Sequence, residues 1–242
     1  MTETAPKIRL YVDAVLSAGA AVPLLPDQAH YLFAVMRRAE GDSVALFNGR
    51  DGEWRAEIAQ AGNRRGLLMV LKQTRAQVPL ADLWLLCAPI RKARMDILVE
   101  KAVELGVARL QPVLTRRSQS ERLRPEKMRA HMVEAAEQCG STVVPELVAA
   151  QPLAEVLAGW PADRRLLFCD ETRDAPSMAG LNAPPPAALL IGPEGGFDPG
   201  EAAALRGHPA CQPVSLGPRI LRAETAAIAA IALWQALQGD WR

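Results

Sequence analysis

The sequence predicts an α/β protein in which a mostly parallel sheet flanked by helices follows a small β-rich unit. Three observations carry this reading. From about residue 80 onward short apolar runs alternate with helix-like segments, the rhythm of a sheet covered on both faces. Before residue 75 the segments are short and strand-like, with Gly- and Asn-bearing turns between them. Half of the 242 residues are apolar, enough to fill a core, yet no apolar run reaches the ~20 residues that cross a bilayer.

In chain order, Ile8 to Val12, Ser43 to Phe47, Trp54 to Ala59 and Leu67 to Leu71 read as strands of a compact barrel. Asn48-Gly49-Arg50-Asp51-Gly52 is a hairpin signal between two of them. One helix interrupts the series, from Asp27 to Arg38, with Pro26-Asp27 as its start and Arg37-Arg38 in its last turn. The polar, proline-ended stretch Thr74 to Pro79 marks a joint, so residues 1–75 form a first domain and 76–242 a second. Strands follow at Leu83 to Ala88, Arg109 to Leu114, Val143 to Val148, Arg165 to Asp170, Ala187 to Ile191 and Gln212 to Leu216. Helices are read at Met95 to Leu105, stopped by Gly106, and at Pro125 to Cys139, stopped by Gly140. Asp198-Pro199-Gly200-Glu201 opens another with a capping box. The last, Ala223 to Leu237, is apolar nearly all round and must be buried on more than one face, within the subunit or against a second one. Ile228, Ile231, Leu233, Trp234 and Leu237 therefore predict a homodimer.

Composition narrows the chemistry. Cys87, Cys139, Cys169 and Cys211 are scattered without a C-x-x-C, and His30, His131 and His208 are scattered too, so no metal site and no disulfide framework is expected. Met1 to Lys7 lacks the layout of a signal peptide, and the expected compartment is the reducing cytoplasm. The net charge is only +1, but it is unevenly spread. Residues 1–75 hold ten basic and eight acidic side chains, 76–130 eleven and six, and 131–242 seven and thirteen. Arg91, Lys92, Arg116, Arg117, Arg122 and Arg124 fall in the basic stretch and, with Arg37 and Arg38 of the first domain, are candidates for nucleic-acid phosphates; a solvated helix face is the alternative.

Two loops stand out. Leu189-Leu190-Ile191 runs into Gly192-Pro193-Glu194-Gly195-Gly196-Phe197, and Val214-Ser215-Leu216 into Gly217-Pro218-Arg219-Ile220-Leu221-Arg222-Ala223-Glu224-Thr225. Glycines directly after buried strands allow positive φ and close approach of a ligand to the main chain. Carboxyl ends of strands are where open sheets bind ligands. Neither loop matches a dinucleotide or P-loop pattern, and simple tight turns remain an alternative.

The ordered pair Gly-Pro-Glu-Gly-Gly-Phe and Leu-Gly-Pro-Arg-Ile-Leu-Arg-Ala-Glu-Thr-Ala resembles the knotted SPOUT-class RNA methyltransferases. Within them it is most similar to the family that methylates N3 of a uridine in 16S ribosomal RNA. Arg94-Met95-Asp96, Lys101-Ala102, Glu104-Leu105-Gly106-Val107 and Glu134-Ala135-Ala136-Glu137-Gln138 resemble that family's central motifs, and His30, Val35 to Arg37, Gly41-Asp42 and Leu46 to Glu57 its PUA-like RNA-binding domain. Ser141 stands where the family pattern suggests an arginine. The resemblance implies a C-terminal trefoil knot, S-adenosylmethionine as cofactor, and ribosomal RNA or the small subunit as partner. It places the cofactor against Gly192, Pro193, Glu194, Gly195, Gly196, Leu216, Gly217, Ile220, Leu221 and Thr225. Because uracil N3 must lose a proton before it attacks, Arg219 and Arg222 are candidates to stabilise the imidate, with Glu194 or Glu224 as proton acceptor or ion-pair partner. A methyltransferase acting on another RNA, a non-catalytic RNA-binding protein and an adenine-nucleotide enzyme are the competing readings.

Overall fold

The structure, a computed structural model, describes residues 6–118, 123–172 and 174–241. It divides into two compact units, one of residues 1–79 with 136–144 and one of 80–135 with 145–242.

The first unit holds β1 (Arg9–Tyr11), β2 (Ala21–Pro23), α1 (Pro26–Ala29), β3 (Ser43–Phe47), β4 (Glu53–Gly62) and β5 (Arg65–Arg75). The strands form one five-stranded sheet in the order β1-β3-β4-β5-β2, parallel only between β1 and β3. Asn48 and Asp51 build the β3–β4 turn: the Asn48 side chain accepts from the Arg50 and Asp51 amides and donates to the Asp51 carboxylate. The long β4–β5 ladder carries three register shifts, which bend it around a core containing Leu10, Val22, Leu46, Ile58 and Leu68. β2, three residues ending in a proline, is too short to show alternation and goes unread in the sequence.

The expected helix from Asp27 to Arg38 is altered. After α1 the chain widens into a π-helical turn at His30–Val35, and Arg37 takes a left-handed φ of 52°. Tyr31, Leu32, Phe33 and Met36 all pack on the core, whereas a regular helix would spread three consecutive side chains over about 200° of its circumference.

Residues 136–144, assigned from sequence to the second domain, belong to the first unit because Arg9 and Arg75 grip them. Arg9 donates to the carbonyls of Ala136, Glu137 and Ser141, and Arg75 to that of Gly140. Both guanidiniums also bind Glu53. Ser141, found in place of the expected arginine, uses its hydroxyl on Val143, accepting from its N–H and donating to its carbonyl.

The second unit contains β6 (Leu83–Cys87), α2 (Lys92–Glu104), β7 (Arg109–Leu114), α3 (Pro125–Cys139, its last residues lying in the first unit), β8 (Glu146–Leu147), β9 (Gln151–Pro152), α4 (Leu153–Ala158), β10 (Arg165–Cys169), β11 (Ala187–Ile191), α5 (Pro199–Gly207), β12 (Cys211–Val214) and α6 (Ala223–Gln238). The expected strand over Val143 to Val148 shrinks to the two residues of β8, since Ser141 already holds Val143. The sheet runs β12-β10-β11-β6-β7-β8, every ladder parallel, with β9 paired to β7. All five residues of β11 are buried, as a parallel strand covered on both faces requires.

One face packs Leu86, Leu166, Phe168, Ala188 and Leu190 against Leu153 and Val156 of α4 and Leu205 of α5. α6 packs on β11 and α2, burying Ile231 and Trp234, whose indole N–H donates to the Ala183 carbonyl. At the amino ends of the strands Trp84 is held between the guanidiniums of Arg109 and Arg164, at 3.9 and 3.6 Å from the ring centre. The capping box of α5 forms: Asp198 accepts from Gly200 and Glu201 accepts from Asp198, a cap of the kind worth about 1 kcal/mol.

Candidate active site

Because β12, β10 and β11 are parallel neighbours, the loops that follow them emerge at one edge of the sheet. They enclose a cleft of about 410 Å³. The loop after β11 contributes Gly192, Pro193, Glu194 and Phe197, and the segment after β12 contributes Ser215, Leu216, Gly217, Arg219, Ile220, Leu221 and Arg222. Between them lie Cys169, Asp170 and Glu171 at the end of β10, and Arg91 and Arg94 close one side from the start of α2. Two sequence segments that are twenty residues apart thus become walls of one site.

The glycines serve different needs. A Cβ on Gly192 would stand 2.6 Å from the Phe197 ring, which lies edge-on to Phe168 with ring centres 5.1 Å apart, so this glycine makes room for a side chain that seats the loop. Gly196 has a φ of 69°, and the Glu171 carboxylate sits where its Cβ would be. Gly217, at φ 115°, has nothing within 4 Å of the Cβ position and leaves open space beside the cleft. Gly195, Gly196 and Thr225 are outside the lining, Gly195 instead accepting from Arg117 through its carbonyl.

Charge in the site is organised around Arg94. Its guanidinium binds Glu194 at 2.5 Å and approaches Glu224 at 3.7 Å, while Arg91 lies 3.7 Å from the other Glu194 oxygen. Both carboxylates considered as proton acceptors are therefore ion-paired to the same arginine, and the Glu224 Oε2 atom is buried with no hydrogen-bond partner. Arg219 and Arg222 are exposed on the opposite loop. Burial pushes the Asp170 carboxyl up, but hydrogen bonds from Thr172 and from Arg206, which approaches at 2.5 Å, outweigh it and hold the group below its ordinary value. Burial pushes the Cys169 thiol up to about 12, which keeps it protonated and unreactive. No group of three or more His, Cys, Asp or Glu that could hold a metal ion occurs among the described residues.

Cys169, Asp170, Glu171 and Ser215 line the cleft without having been read as site residues from the sequence. A carboxylate pair directly after the apolar run Leu166 to Phe168 was the available signal. Of the phosphate candidates, Arg37 is exposed and Arg38 lies 4.0 Å from Asp42, both in the first unit. In the second unit Arg91 lines the cleft, Lys92 pairs with Asp96, Arg116 with Asp198, and Arg124 is exposed near the start of α3. Arg122 lies outside the described residues.

The chain holds a β-rich unit and an α/β unit whose cleft lies at the carboxyl edge of a parallel sheet, and its sequence places it in the RNA methyltransferase class. The RNA methyltransferase domain family matches residues 76–235, and the RNA methyltransferase PUA domain family matches residues 24–71. The ribosomal RNA small subunit methyltransferase E of Synechocystis is 30% identical over 95% of this chain and 77% of its own, and that of Rickettsia conorii 29% over 93% of each. Two solved relatives have the same fold. A Legionella pneumophila methyltransferase in complex with its cofactor SAM is 30% identical, with a TM-score of 0.88 over 96% of this chain and 98% of that one. The Neisseria gonorrhoeae ribosomal RNA small subunit methyltransferase E bound to S-adenosyl methionine is 28% identical, with a TM-score of 0.87 over 97% and 99%. The chain belongs to the ribosomal RNA small subunit methyltransferase E family.

Proposed function

We propose that the protein transfers a methyl group from S-adenosylmethionine to N3 of a uridine in 16S ribosomal RNA of the small subunit, in the cytoplasm. The observation that carries this reading is the cleft formed by the two glycine loops, with the guanidiniums of Arg219 and Arg222 on its rim. SAM in the two solved relatives supports the cofactor, and the names of the curated relatives support the substrate. The uridine N3 position and the trefoil knot follow from the resemblance of the two loop motifs.

The residues present suit the cofactor. The cleft falls within the roughly 300–1,000 Å³ of small-molecule sites. Gly217 leaves main chain open beside it, and Pro193, Leu216, Ile220 and Leu221 offer apolar surface to an adenine. In this reading those residues and Gly192 hold the cofactor, while Gly195, Gly196 and Thr225 shape the two loops and the first turn of α6. The bound cofactor supplies a methyl group made electrophilic by its sulfonium.

Deprotonated uracil carries its negative charge on O2 and O4, which neighbouring guanidiniums stabilise. Arg222 and Arg219 fill that role. Glu194 and Glu224 share Arg94, an arrangement that suits them to orient the cationic wall, with Glu194 nearest the cleft to receive the N3 proton. Incubation with S-adenosylmethionine and small ribosomal subunits from cells lacking the enzyme tests the whole reading. Mass spectrometry of nuclease fragments is expected to find one N3-methylated uridine; a methyl group elsewhere, or none, overturns it.

A further inference from the structure

We propose that a second cavity, beside the first, receives one nucleotide of the RNA strand adjoining the target base; this rests on the function proposed above. The cavity has a volume of about 300 Å³ and lies between the starts of α2 and α3. Its floor is apolar, formed by Ile90, Met95 and Met128, all buried, together with Leu123. Its rim carries Lys92, Arg124 and Lys127, and one carboxylate, Asp96. Asp96 is already neutralised: Lys92 binds it at 2.7 Å and the His131 ring lies 3.5 Å away. Arg124 and Lys127 form no ion pair with a carboxylate among the described residues.

An apolar floor under a cationic rim fits a ligand with a flat, weakly polar face and an attached anion. A nucleotide has both, its base or ribose on the floor and its phosphate on the rim, and base contacts of this kind tolerate any sequence. The size selects a single nucleotide over a peptide helix, since the volume is at the lower end of small-molecule sites.

Position adds the link to the reaction. Arg91 and Arg94 line the cofactor cleft, whereas their chain neighbours Ile90, Lys92 and Met95 line the second cavity. The start of α2 thus contributes to the lining of both cavities. A strand that presents a base to the first cavity has its neighbouring nucleotide within reach of the second.

Two variants and one crosslink test the proposal. Leu123→Trp fills the cavity without altering charge, and Arg124→Ala with Lys127→Ala removes charge without filling it. Steady-state methylation of small subunits should show KM for the subunit raised about tenfold in the first, the scale of one lost base contact. The second should flatten the salt dependence of binding by roughly two units of logarithmic slope. Affinity for S-adenosylmethionine should be unchanged in both. If only the charge variant weakens binding, the cations act as an open surface and the cavity is not a subsite; if neither does, the proposal is overturned. On the unaltered protein, ribosomal RNA carrying 4-thiouridine should crosslink to the peptide holding Leu123 and Met128. RNA that is methylated yet never crosslinks there refutes the subsite alone, whereas RNA that is neither methylated nor bound refutes the function on which it rests.

Discussion

Arg222 occupies the N-cap of α6 yet makes no capping bond with its side chain, so its guanidinium is exposed at the rim of the cleft and free of a structural duty there. Arg222→Ala should therefore lower the single-turnover methylation rate by roughly 10²-fold, the scale of losing one preorganised charge donor, while RNA affinity changes little; methylation at the parent rate would remove Arg222 from the chemistry. The glycines divide along similar lines. The family resemblance places Gly195 against the cofactor, whereas here Gly195 lies outside the lining of the cleft and a Cβ there meets nothing closer than 3.8 Å. Gly217 lines the cleft at φ 115°, a conformation closed to valine. Titration calorimetry should show S-adenosylmethionine binding lost in Gly217→Val and largely retained in Gly195→Val, with circular dichroism unchanged in both.

Elements are held by a few buried charges. Arg9 ties β1 to the end of α3 through three carbonyls, stacks on Phe47 with its guanidinium 4.5 Å from the ring centre, and binds Glu53 at 2.7 Å. The carbonyls of Ala136 and Glu137 lie in the last turn of α3 and that of Ser141 just beyond it, so the guanidinium serves acceptors at a helix end as well as a carboxylate. Breaking such a pair leaves a charge uncompensated, and Arg9→Ala should destabilise the first unit by roughly 3 kcal/mol. Burial pushes the Glu53 carboxyl up, yet hydrogen bonds from Arg75 and Arg9 outweigh it and hold it below its ordinary value. A carboxyl depressed in the folded state contributes stability that is complete above its unfolded value near 4.5 and is lost as the pH falls through the folded value. Urea unfolding followed from pH 7 to pH 3 should accordingly show a decline below about pH 4.5 that is shallower in Glu53→Gln. A parallel decline in the variant would remove Glu53 from the account.

For the whole molecule the question is what covers α6. Ala227, Ala230, Ile231 and Trp234 are buried within the subunit, so part of this apolar helix is accounted for by its packing on β11 and α2. Ile228, Leu233 and Leu237 remain only half-buried. A second copy covering this stripe is the homodimer we propose. Sedimentation at micromolar concentration should give twice the 26.1 kDa of one chain; a species of 26.1 kDa would refute it. Replacing Leu233 and Leu237 by Glu should then yield a monomer that still binds S-adenosylmethionine, if dimerisation and the cofactor cleft are independent.

Much of this was legible in the chain. Strand β3, strand β11 and helix α3 begin and end where turn and cap residues put them, because local signals such as Asn48-Gly49, Pro125 and Gly140 act within a few residues of themselves. The two glycine loops were legible for the same reason, as glycines directly behind apolar strands. What only tertiary packing decided was partnership. Nothing local indicates that β10 lies between β11 and β12, and it is that order which carries Asp170 and Glu171 into the cleft. Nothing local tells Arg9 that it will hold the end of a helix more than 120 residues away. Likewise the π-helical turn at His30–Val35 replaces the regular helix that the pattern suggested, with Leu32 buried and Tyr31 and Phe33 packed beside it on the same core. Propensities and turns act over a few bonds, whereas strand order, ion pairs and the covering of apolar surface depend on which distant segments meet, and that is settled only when the chain is packed.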